Sequence, residues 1–169
     1  AVVRFRSGAV CQFTMSRTSP GSPTNIATVH GSLGTMLMPT SRSGVGPTVL
    51  LEDRQPVRGE DLLELVPDMV LDEPTAPHFG GSRPIASYEM SFEEMDRVLV
   101  AIELEDFAMA IRTGSRPEVD QEAGMNAVAL VYAILESGEA GAPVNLRDIM
   151  DGSVAEYQRS IDEEIGIQG

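Results

Sequence analysis

Ser91 divides this sequence into two halves with different rhythms, and that division limits the fold more than any other feature. Ser91-Phe92-Glu93-Glu94 forms a capping box. In such a box the serine hydroxyl accepts from the glutamate N–H while the glutamate reaches back to the serine N–H. Met90 and Met95 stand where a hydrophobic staple would sit. Phe92, Met95, Val98, Leu99, Ile102, Phe107 and Ile111 then recur at helical spacing and predict a core-facing stripe. Gly114 supplies the stop and Pro117 follows it. A second helix is predicted from Gln121 to Ser137, with Met125, Val128, Val131, Ile134 and Leu135 inward and Gly138 ending it. Pro143 to Leu146 reads as an extended link, and a last short helix covers Ser153 to Glu164.

Ahead of Ser91 the period is two. Val2 to Arg6 and Ala9 to Arg17 read as strands around a turn at Ser7-Gly8. Alternation puts Ala9, Cys11, Phe13 and Met15 on one face, with Cys11 as an inert core thiol. Thr18 to Thr24 is a loop, rich in Pro, Gly and Ser. Asn25 to His30 and Thr35 to Met38 are strands joined at Gly31-Ser32-Leu33-Gly34, and Thr48 to Leu51 is a fifth. Residues 52–89 hold Pro56, Pro67, Pro74, Pro77, Pro84 and Gly80-Gly81. They predict a long excursion with short strands or a helical turn near Gly59 to Leu65. Strands first and helices after give an α+β class. The expected architecture is an open-faced, mainly antiparallel sheet with helices packed on one face, as a single domain over residues 1–169. No βαβ unit of dinucleotide-binding type is visible.

Composition narrows the function. The chain has 169 residues and a net charge of −14. That field repels phosphate backbones and anionic lipid, so neither nucleic acid nor membrane is an expected partner. All twelve basic residues are Arg, since the sequence has no Lys. A single cysteine excludes an internal disulfide and a thiolate metal cluster. No apolar run is long enough to span a membrane, and no secretory leader is visible, so a cytoplasmic location is expected. The strand-like opening Ala1-Val2-Val3-Arg4-Phe5 is the kind found inside longer chains, and the sequence is expected to be a piece of one.

A set of motifs in fixed order carries a family resemblance. They are Phe5-Arg6-Ser7-Gly8-Ala9, then Val29-His30-Gly31-Ser32-Leu33-Gly34-Thr35, then Glu105 to Gly114 ending in Ile111-Arg112-Thr113-Gly114. Arg116-Pro117-Glu118-Val119, Gly124, Ala129 to Ser137 and Gly141-Ala142-Pro143-Val144 complete the set. Together they resemble the C-terminal domain of glucose–fructose oxidoreductase-type dehydrogenases, the Gfo/Idh/MocA family, with residues 39–90 unmatched. Physically these positions are scaffold. Gly34 and Gly114 permit tight or left-handed backbone, and Phe107 and Ile111 are expected in the core.

The resemblance implies an NAD(P)-dependent enzyme acting on a sugar or polyol such as an inositol. Its cofactor lies on a Rossmann domain, with a Lys from a Glu-Lys-Pro motif and an Asp–His pair doing the chemistry. None of these can be placed here: the sequence holds no Lys and no strand–Gly-x-Gly-x-x-Gly–helix run. No catalytic residue, cofactor or metal is therefore expected on this chain, which alone should be inactive. What the resemblance leaves to it is to wall the substrate pocket and join subunits. Arg17, at the end of the second strand, and His78, in the loop Ala76-Pro77-His78-Phe79-Gly80-Gly81, are the candidate substrate contacts. A surface ion pair for Arg17 and a plain loop position for His78 are the structural readings. His30 reads as a proton shuttle or as a polar strand end. Gly44-Val45-Gly46 resembles part of a phosphate loop but reads as a turn. Glu93, Glu94, Asp96, Glu103, Glu105 and Asp106 read as a solvated helix face. Both faces of the sheet carry apolar residues, so a homo-oligomer through the open sheet face is expected, and a separate cofactor-binding domain is a possible partner. The competing reading is a self-standing, non-catalytic dimerisation or carbohydrate-binding module with the same fold. A hydrolase using paired carboxylates rests only on the abundance of Asp and Glu.

Overall fold

The local pairing rules of the first half build two small antiparallel sheets in the computed structural model, which describes residues 1–16, 20–21, 25–40 and 42–167. The chain forms two units: residues 1–18 with 116–169, and residues 19–115.

In the first unit β1 (Val2–Arg4) pairs with β2 (Val10–Gln12), with Val3 opposite Cys11. Both strands are shorter than alternation predicts: the turn starts early, and β2 ends at Gln12, opposite the first residue of β1, Val2. Phe5 accepts from the Gly8 N–H at 3.0 Å, and the Phe5 N–H donates to Ala9 at 2.9 Å. Gly8 takes φ 91°, and three residues, Arg6 to Gly8, turn the chain between Phe5 and Ala9. Cys11 is exposed, which corrects its expected place in a core. A two-stranded hairpin has no second layer of its own to bury either face.

The same unit holds α2 (Gln121–Ala140), α3 (Leu146–Met150) and α4 (Glu156–Ile165). Asp120 caps α2, its carboxylate accepting from the Ala123 N–H at 2.9 Å. This helix passes through Gly138 and ends at Gly141, whose φ of 59° supplies the left-handed stop. Helix α3 is not predicted by the sequence and overlaps the expected extended link, 143–146, only at Leu146. Pro143 does keep the link out of helix, but Asn145 caps a new turn by accepting from the Arg147 N–H at 3.3 Å. Helix α4 begins three residues later than predicted, because Ser153 is engaged with Asp148 and Asp151.

In the second unit β3 (Ala27–His30), β4 (Gly34–Met38) and β5 (Thr48–Leu51) form a meander in the order β3-β4-β5. The register sets His30 opposite Thr35, Val29 opposite Met36, and Met36 opposite Val49. With period-two alternation, Ala27, Val29, Met36, Met38, Val49 and Leu51 share one wholly apolar face, while Thr28, His30, Thr35, Leu37, Thr48 and Leu50 share the other. Gly34 lets β4 approach β5: a Cβ there would stand 2.3 Å from the Leu50 carbonyl oxygen. A 3-10 helix spans Gly59–Leu65, as the sequence predicts, and a second spans Ala76–Phe79.

Helix α1 (Phe92–Thr113) starts at the predicted capping box, with Ser91 accepting from the Glu94 N–H at 3.2 Å and Glu94 accepting from the Ser91 N–H at 2.8 Å. Its inward line is Met95, Leu99, Ile102, Asp106, Met109 and Ala110. Phe107 and Ile111 stand about 100° round from that line and are 58% and 69% exposed, which corrects their expected core position. A similar offset affects α2, where Ala129, Ala133 and Glu136 are the buried residues while Met125, Val128, Val131 and Leu135 are exposed and Ile134 is half-buried.

Candidate functional site

His78 lies in a segment closed on itself. The Leu71 N–H donates to the Ser82 carbonyl at 2.8 Å and joins the ends of the 71–82 loop. Inside it Asp72 holds the turn, its side chain accepting from the Thr75 N–H at 2.8 Å and its carbonyl from the Ala76 N–H at 2.9 Å. Pro77 presets φ at the second 3-10 position, and Gly80 ends the turn with φ 80°. This is the build of a compact Ω-type loop whose conformation is fixed by its own backbone bonds.

The loop is anchored beside two extended segments. The Phe79 ring meets that of Tyr88, centroids 6.1 Å apart. The Tyr88 N–H donates to Gly44 at 2.9 Å and the Gly46 N–H to Ala86 at 3.1 Å, an antiparallel bridge centred on Val45 and Ser87. Residues 44–46, expected as a turn, carry an isolated antiparallel bridge at Val45. Their glycines serve close approach: a Cβ on Gly44 would stand 2.3 Å from the Tyr88 carbonyl oxygen and one on Gly46 2.8 Å from that of Ala86. Arg42, with φ 64°, ties this bridged segment to α1. Its guanidinium lies 5.0 Å from the Phe92 ring centroid and 3.0 Å from Asp96. Asp96 is thus an ion-pair member rather than part of a solvated face, and Glu94 belongs to the cap.

His78 itself is half-buried, and among the described residues nothing hydrogen-bonds its ring. An imidazole without a carboxylate behind it is suited to contacting a hydroxyl, not to acting as a tuned base. Arg17 lies outside the described residues. His30 is more constrained than the sequence suggests. Its Nδ1 is 3.0 Å from the Thr35 hydroxyl across the hairpin, and its Nε2 is 3.4 Å from the Thr28 hydroxyl on its own strand. Both partners are neutral, so this exposed cluster is a polar strand end with a fixed ring.

Two carboxylates feel their neighbours. The Ser91 N–H, then its hydroxyl, hold Glu94 below the ordinary carboxylate range, with Arg97 adding to the effect. The Ser153 hydroxyl, then its N–H, do the same for Asp151. Both groups are exposed and belong to caps and turns rather than to a reaction.

The first unit offers two concavities. A hollow of about 510 Å³ at the start of α2 is lined by Arg116, Pro117, Asp120, Glu122 and Asn126. Its Arg116 is bonded to Asp120 and, at 2.8 Å, to Glu122, so its charge is already matched. The second is an apolar groove of about 620 Å³ between α2, α3 and α4. Behind it Glu136, 2% exposed, accepts from the Tyr157 N–H at 3.0 Å and the Gln158 N–H at 3.4 Å. It caps α4, whose own N-cap residue Ala155 has no side chain to do so. Sequence reasoning missed this residue. The available signal was a carboxylate at core spacing from Ala129 and Ala133.

A dinucleotide finds no cradle among the described residues. The strands pair only antiparallel, and no strand runs through glycines into a helix. No group of His, Cys, Asp and Glu could hold a metal ion among them. No helix is long and apolar enough to cross a membrane among the described residues. The family model described as "Oxidoreductase family, C-terminal alpha/beta domain" matches residues 1–146. No curated protein and no solved structure matches the chain.

Proposed function

The chain belongs to the Gfo/Idh/MocA oxidoreductase family as its C-terminal α/β domain, and from that membership we propose that it is the substrate-binding and oligomerisation domain of a cytoplasmic NAD(P)-dependent sugar or polyol dehydrogenase. The family match over residues 1–146 is the observation that carries the reading. The described residues do not fit NAD or NADP, so the nicotinamide chemistry belongs to a separate cofactor-binding domain and no step of it is assigned to this chain. The chain's share is to bind and orient the substrate and to join subunits.

His78 supports the binding role, because the 71–82 loop presents it on a rigid frame with its ring nitrogens available to a hydroxyl. Arg17 is the other proposed substrate contact, as a guanidinium donor. The apolar face of the β3-β4-β5 sheet supports the subunit role, since an exposed row of Ala27, Val29 and Met38 gains most from a second apolar surface.

The test takes three measurements on the purified chain. Titration with NADH and NADPH, followed by nicotinamide fluorescence, should give no binding, and saturable binding would overturn the division of labour. Light scattering should give a homo-oligomer, and a monomer at all concentrations would sink the subunit role. Joined to a cofactor domain of the family, the chain should give NAD(P)-dependent polyol oxidation that His78→Ala weakens through KM. If the chain binds polyols fully without such a domain, the self-standing carbohydrate-binding module is the better reading.

A further inference from the structure

We draw no further inference here: the strongest candidate, the apolar groove of about 620 Å³ between α2, α3 and α4 lined by Met125, Val128, Tyr132, Ile149, Met150 and Val154, carries nothing, because nothing in the structure shows what covers it.

Discussion

A buried carboxylate that accepts two backbone N–H groups is costly to remove, because both donors are then left without a partner. Glu136→Ala should therefore destabilise the chain by about 1–3 kcal/mol, read as a lower urea midpoint by far-UV circular dichroism. Glu136→Gln keeps an acceptor and should cost less. Equal stability of Glu136→Ala and the parent would remove Glu136 from its capping role. Glu94 answers to pH. Its folded pKa is depressed by the Ser91 hydrogen bonds, so its contribution is present above its unfolded pKa and is lost as pH falls through the folded one. Between pH 6 and pH 3 the parent should lose more stability than Glu94→Gln, which has no charge to lose. At this scale the capping box was readable because it is made within four residues, Ser91 to Glu94. Glu136 was not, because its partners Tyr157 and Gln158 lie 21 and 22 residues away.

Among the elements, glycine separates what the sequence could tell from what it could not. Gly138 and Gly141 are equally plausible helix ends on paper, yet only Gly141 takes a left-handed φ, 59°, while Gly138 sits inside α2 with open space around it. Gly138→Ala should raise stability by roughly 0.5–1 kcal/mol, and Gly141→Ala should lower it by about 1 kcal/mol. Thermal melts of the two variants check the pair, and the same sign for both would contradict the assigned end. The existence and type of α1, α2 and the β3–β4 hairpin followed from local period and turn chemistry, while at Gly59–Leu65 the sequence left short strands or a helical turn open and the structure has a 3-10 helix. The inward side of each helix did not. Phe107 and Ile111 continue the hydrophobic pattern of α1 but not its packing line, and that line is set by neighbours distant in sequence. The pairing of 44–46 with 86–88 was hidden for the same reason: it joins segments some forty residues apart, and neither alternates clearly.

For the molecule as a whole, the proposed self-association sets apolar attraction against a net charge of −14 on each copy. Screening shortens the reach of that repulsion to about 8 Å at physiological ionic strength, so association should tighten as salt rises from low to physiological levels. Sedimentation velocity at two salt concentrations reads this, and weakening with salt would point to an ionic interface instead. Val29→Glu places a charge on the apolar sheet face at a position 54% exposed. It should shift the species toward monomer while leaving the circular dichroism spectrum unchanged. The family was legible as an ordered set of motifs from Phe5 to Val144, close to the span of 1–146 that matches. The site was not, since Arg17 and His78 are ordinary residue types that stand in no chemistry-bearing motif of their own.

The link from Glu136 to the start of α4 also imposes a sequence of events. A helix of ten residues is too short to persist alone in water, so α4 gains its first turn only after α2 exists to cap it. During synthesis the chain must run 21 residues past Glu136, to Tyr157, before the two meet. The C-terminal helix is accordingly a late arrival in folding and an early departure in unfolding, and the Tyr157 and Gln158 amides should report each event by their hydrogen exchange.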